Sequence, residues 1–232
     1  MTTETAEITE TAGTTEAADS LAVWCEVRRR VDWASAVVGG ETPAPVPVRA
    51  TVDGLATWFD ETVRARDPAR ADRLLAAMAR SRADAVRKRP LTIELLGDWQ
   101  RLVLDVPEVA FRQGDAFAKG GRERYALTPH TRQDFAACLR QSADPAVPPA
   151  ARAARAYLDV AFFHPFPDGN ARLALLTLAY VLDLEGVRLD QVGPLQTTRY
   201  ADDPVGAADL AVLVTVLIRA TYRRGVRARA NS

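Results

Sequence analysis

His164, Asp168 and Arg172 lie in the run His164-Pro165-Phe166-Pro167-Asp168-Gly169-Asn170-Ala171-Arg172, which puts a base, a carboxylate and a fixed cation in one short loop. Imidazole, with an unperturbed pKa near ~6.5, is the side chain suited to accept a proton at neutral pH. Asp168 can ligate a hard divalent cation, Mg2+ being the expected ion, and Arg172 offers a fork of donors that matches phosphate oxygens. The two prolines fix φ and remove backbone donors, so the loop is stiff and cannot continue the helix before it. The amides of Gly169, Asn170, Ala171 and Arg172 then fall in the first turn of the next helix, where unpaired N–H groups and the positive dipole end favour an anion. Phosphate is the natural occupant, and the chemistry inferred is transfer of a phosphorus-containing group to a hydroxyl. Each residue also has a blander reading, since a His before Pro can be a satisfied buried histidine and Asp-Gly-Asn is common turn chemistry.

The elements that must position this loop are mostly helical. Leu21, Trp24, Val27, Val31 and Ala34 recur at helical steps, which predicts a helix over 19–38 stopped by Gly39-Gly40, and residues 43–47 read as an extended Pro-rich connector. Residues 51–66 place Leu55, Trp58, Phe59 and Val63 on one face, and Pro68 opens a helix to about 89 whose Leu74, Leu75, Met78 and Val86 face inward against a solvated arginine face. Another helix over 91–106 turns Leu95, Leu96, Trp99, Leu102 and Val103 inward. Residues 108–127 break the rhythm with Gly114, Gly120 and Gly121 and read as a short β-hairpin. Helices are predicted again over 129–141, 149–163, 169–184 and 204–222, the last followed by Arg223, Arg224, Arg227 and Arg229 as surface charge near a helix end. The fold class expected is all-α with one small hairpin.

Residues 1–18 are acidic, rich in Thr and Glu and without an apolar stripe, so they read as a disordered tail. The organisation expected is that tail, an N-terminal helix and connector over 19–50, and one domain over 51–232. Hydrophobic residues make up 48% of the chain, enough for a real core, while 30 basic and 30 acidic residues cancel and give no global argument for a nucleic-acid or membrane partner. Cys25 and Cys138 have no metal-ligand spacing and read as buried thiols. The N-terminal segment lacks the features of a cleaved signal, and the longest apolar run, roughly 173–184, is shorter than the ~20 residues a spanning helix needs. The expectation is a soluble cytoplasmic protein, with a homo-oligomer left open.

The 164–172 run resembles the signature of the Fic family, HPFx(D/E)GNGRxxR, at His164, Pro165, Phe166, Asp168, Gly169, Asn170 and Arg172. Phe111-Arg112, followed by glycines, is similar to the family's flap, which lines up the target chain beside the nucleotide. The resemblance reaches from about 51 to 222 and implies a compact helical bundle with a hairpin flap. It also implies transfer of AMP from ATP, or of another nucleotidyl group, to a Ser, Thr or Tyr hydroxyl of a protein. By position, His164 would be the base and Asp168 the Mg2+ ligand. Gly169, Asn170 and Ala171 would form the anion hole, with Asn170 and Arg172 on phosphate oxygens, and Phe166 would anchor the loop. Two positions depart from the pattern. Ala171 replaces a glycine, which is tolerable if its backbone is helical. Leu175 replaces the second arginine, and no (S/T)xxxE(G/N) inhibitory element that would clamp that arginine is found.

The missing arginine keeps other readings open: phosphotransfer as in the Doc branch, whose members typically have Lys where Ala171 stands, work on a small-molecule acceptor in a biosynthetic pathway, or a catalytically silent interaction module. Among lesser candidates, His130 reads as a surface or capping residue and Tyr157 and Tyr180 as core. Arg112 reads equally as a phosphate contact or a bridge to a carboxylate, and Lys119 and Arg122 as solvated charges at the hairpin tip.

Overall fold

The computed structural model describes residues 18–36, 47–48 and 50–231. The expected tail, the Gly39-Gly40 stop and nearly all of the Pro-rich connector lie outside them. Helix makes up 62% of the structure, and the two-stranded sheet accounts for the rest of its regular elements, so the all-α class with a hairpin holds.

Two helices form the centre: α6 (Pro149–Phe163) and α7 (Asn170–Leu184), packed against each other along their length. The first is alanine-rich, with Ala150, Ala151, Ala153, Ala154 and Ala156 all buried, so neighbours approach closely on more than one face. The second buries Leu173, Leu175, Leu176, Leu178 and Leu182, and a helix apolar nearly all round belongs in a core. Around this pair stand α3 (Pro68–Val86), α4 (Ile93–Leu104), α5 (Thr131–Arg140) and α8 (Pro204–Ala230). Asp67 caps α3 by accepting from the Arg70 amide, Pro68 occupies its first position, and Thr92 caps α4 through the Leu95 amide.

Several boundaries differ from the periodicity. The first helix, α1 (Ser20–Arg30), ends at Arg30 instead of 38, because Val31 is extended and the Trp33 indole donates back to the Arg28 carbonyl at 2.9 Å. Residues 51–66 form a short α2 (Gly54–Thr57) that widens into a π-helical segment, Trp58–Val63. Val86 is 85% exposed at the end of α3 and Leu102 is 37% exposed on α4, so neither faces inward. The last helix runs on to Ala230, and Arg224 is held by Asp190, its Nη2 donating at 2.6 Å, instead of standing in solvent. This helix, not 173–184, is the segment long and apolar enough by composition to cross a membrane; here it packs on α6 and α1.

Asp159, buried on α6, ties α1 to the centre. Its Oδ1 accepts from Trp24 Nε1 at 3.1 Å and Arg28 Nε at 2.7 Å, and its Oδ2 accepts from Arg28 Nη2 at 3.0 Å. Asp19, the cap of α1, also accepts from the Ala126 amide at 3.0 Å and so fixes the hairpin made by β1 (Ala116–Ala118) and β2 (Glu123–Tyr125). Removing Asp159 would leave a buried guanidinium and an indole N–H without their acceptor. Asp159→Ala is expected to cost about 3–5 kcal/mol in chemical denaturation.

Candidate active site

The loop between α6 and α7 is built from two reversals. His164 ends α6 in the left-handed region, φ 45° and ψ 57°, and Gly169 starts α7 at φ 76°. At 169 a Cβ would stand 2.5 Å from Gln100 Nε2, so both backbone angle and space call for glycine. Ala171 lies inside α7 with helical backbone, and the departure from Gly there carries no conformational penalty.

Donors from separate elements hold the loop. Asn170 accepts from the Phe166 amide at 3.1 Å and donates to the Phe166 carbonyl at 2.7 Å, while Phe166 itself is buried as an anchor. The Arg112 amide donates to the Pro165 carbonyl at 2.9 Å, and Gln100 Nε2 donates to the Asp168 carbonyl at 2.5 Å. The Asn170 side chain engages backbone at both ends, which leaves one Nδ2 hydrogen for a ligand, and its amide sits in the open first turn of α7. Arg112 is buried and donates to the carbonyls of Phe163, Gly114 and Ala126, and Phe111 packs near Phe135 with ring centroids 6.4 Å apart; both brace the flap stem.

His164 lines a cleft of about 550 Å³. Its ring stacks on Tyr125 at 4.6 Å between centroids and 15° between planes. Nδ1 is buried without a hydrogen bond of normal geometry, which leaves Nε2 as the nitrogen toward the cleft. Burial pushes the imidazole below its usual pKa, with the Ala161 backbone partly opposing, so the ring is a neutral base at pH 7. The Tyr125 hydroxyl donates a hydrogen bond to the buried Glu123 carboxylate, and burial followed by that bond raises its pKa.

Arg172 lines the same cleft and donates to Asp168 Oδ2 at 3.2 Å. Asp168 is 76% exposed and its other oxygen accepts from the Gly169 amide at 2.5 Å. Lys119 is no solvated tip charge: Nζ donates to Glu123 Oε1 at 2.6 Å and to the Arg199 carbonyl at 2.5 Å, and lies 4.0 Å from the Tyr200 ring centroid. Tyr180 is core, packed against Trp99 with the rings tilted by 55°, whereas Tyr157 lines the cleft. His130 is an exposed surface residue at the start of α5 with no capping bond from its side chain.

The cleft walls come from segments that the motif does not announce. Trp58 and Arg66 follow from the π-helical segment, Arg70 from the first turn of α3, and Thr197, Thr198 and Arg199 from the stretch before α8. Arg66 and Arg70 sit in an arginine-rich sequence that reads as a solvated face; only the turn at Asp67-Pro68 hinted that the chain folds back there.

Residues 90–182 match the model of the Fic/DOC family. No curated protein matches the chain. Similar solved structures include IbpAFic2 covalently tethered to Cdc42, at 12% identity over 83% of this chain and 70% of that one with a TM-score of 0.49. Fic-1 from C. elegans is similar at 15% identity over 91% of this chain and 72% of that one, with a TM-score of 0.48.

Gly169→Ala is expected to destabilise the fold by roughly 1–3 kcal/mol through its left-handed backbone and its collision with Gln100. Ala171→Gly should cost only about 1 kcal/mol, the ordinary helix penalty. Denaturant titration of both variants tests which loop position needs glycine. The 90–182 match takes in the whole 164–172 loop, all of α6 and nearly all of α7, and over that segment the chain is similar to the Fic/DOC family.

Proposed function

We propose that the protein is a Fic-type transferase that moves a nucleotidyl group, AMP, from a nucleoside triphosphate to a hydroxyl of a protein acceptor. The observation that carries this reading is the neutral His164 ring at the edge of a cleft that also holds Arg172 and the open first turn of α7. Nε2 accepts the hydroxyl proton as the oxygen attacks the α-phosphorus, the bond from that phosphorus to the bridging oxygen breaks, and pyrophosphate leaves. Arg172 and the amides of Asn170, Ala171 and Arg172 stabilise the charge on the phosphate oxygens.

Asp168 suits the Mg2+ that such a reaction uses. Mg2+ takes one or two carboxylates and completes its shell with water and phosphate oxygens, and Asp168 is an exposed carboxylate one turn from Arg172. Among the described residues no three His, Cys, Asp or Glu side chains cluster to hold a metal by themselves, which agrees with an ion carried in on the phosphates. When bound, Mg2+ would neutralise charge on the leaving group.

One observation favours a small-molecule acceptor as a second reading: Lys119 ties the flap to the Arg199 carbonyl across the cleft lining, where a flap that aligns a protein chain would have to stay open. Intact-mass spectrometry after incubation with each triphosphate and Mg2+ separates the two, since a nucleotidyl adduct on the protein marks the first and a labelled free product the second. An α-phosphate label that stays with the acceptor marks nucleotidyl transfer, and a γ-phosphate label marks phosphotransfer.

His164→Ala is expected to reduce transfer by about 10²–10⁴-fold, and unchanged transfer would remove His164 as the base. Because burial lowers its pKa, the ring stays neutral as pH falls through the usual ~6.5, and the acid limb of the rate profile should lie below that value.

A further inference from the structure

Every charged side chain that lines the cleft is a cation: Arg66, Arg70, Lys119, Arg172 and Arg199. In a chain whose 30 basic and 30 acidic residues cancel, this is a local separation of charge. The carboxylates that answer these cations are few and sit outside the cleft lining. Lys119 has Glu123, Arg172 has Asp168, and Arg70 has Asp67 at 3.2 Å. Arg66 forms no ion pair among the described residues. Arg199 spends Nη1 on the Gly206 carbonyl at 3.4 Å, and its Nε is buried without a partner.

These two cations line the same cleft as the position where the loop lacks one. Leu175, one turn beyond Arg172 on α7, lines the cleft with an apolar side chain. Helix α3 packs on α7 and contributes Arg70 and Leu74 to the lining, with Arg66 just before it in the chain. Arg199 comes from the stretch before α8 and lies close enough to Tyr157 for its charge to oppose the burial-driven rise in that phenol's pKa. The π-helical segment Trp58–Val63 leads directly into Arg66, and such segments recur where a helix is deformed for a site.

We propose that Arg66 and Arg199 bind the terminal phosphates of the nucleoside triphosphate and replace, from two other parts of the chain, the cation missing at Leu175. This rests on the nucleotidyl-transfer reading for the identity of the ligand, while the charge arrangement concerns any linear polyphosphate ester. Guanidinium is the group for the task, because it stays charged and grips paired phosphate oxygens with parallel N–H donors. Trp58 and Tyr157 give the same cleft an aromatic wall on which a base can lie.

Calorimetry of the full chain with inorganic tripolyphosphate tests the assignment without relying on turnover. Arg66→Ala and Arg199→Gln should each weaken binding by about tenfold or more. Arg30→Ala, a control 75% exposed on α1, should bind like wild type. Arg66 is exposed, so its variant should keep the wild-type unfolding midpoint, and Arg199→Gln removes the charge while keeping a polar N–H near the position of Nε. Wild-type affinity in both variants, or failure of the wild type to bind tripolyphosphate, overturns the proposal. Tripolyphosphate binding that depends on Arg66 in a protein that forms no nucleotidyl product with any triphosphate removes the transfer reading and leaves the anion site standing. Normal transfer with an unchanged KM in Arg66→Ala removes the anion site alone.

Discussion

The Asn170 carboxamide, closed at both ends on the backbone of Phe166, is the interaction on which the site depends. It turns the stretch between two left-handed residues into a bracket, so that the position of the His164 ring and the direction of the α7 N-terminus are set together. Gln100 from α4 and the Arg112 amide from the flap stem hold the same stretch from outside. A buried amide that lost these partners would carry its full desolvation cost, which makes alternative loop conformations expensive. The bracket also explains why the residue after it can be alanine: the reversal is completed at Gly169, before Ala171 begins.

Much of the fold was legible because its punctuation is local. Pro149 and the His164-Pro165 step define α6 at both ends as periodicity predicts, and Asp67-Pro68 opens α3. The first helix was legible only in part. Its apolar rhythm runs on past Arg30, yet the chain leaves the helix where Trp33 turns back to the Arg28 carbonyl and Arg28 is claimed by Asp159. Tertiary hydrogen bonds of that kind have no signature in sequence spacing.

The site divides in the same way. The loop could be read because its chemistry and its stiffness are written in adjacent residues. Asn170, assigned to a phosphate oxygen, also closes on the Phe166 backbone, and Arg112, read equally as a phosphate contact or a carboxylate bridge, serves backbone carbonyls; a polar side chain in a loop offers no local signal that separates those tasks. Arg66, Arg70 and Arg199 were invisible for the opposite reason: an arginine bound for a cleft and one bound for solvent look alike in sequence, and their convergence is a product of helix packing.

Lys119 reaches from the hairpin to Glu123 and to the Arg199 carbonyl, a partner 80 residues away in sequence. Flap and distal loop are therefore fastened by one ammonium, and neither swings aside while it keeps both partners. Glu123 belongs to the same hairpin as Lys119, so the bond to the Arg199 carbonyl is the one that joins the two segments, and it sets a positive charge in the cleft lining at their seam.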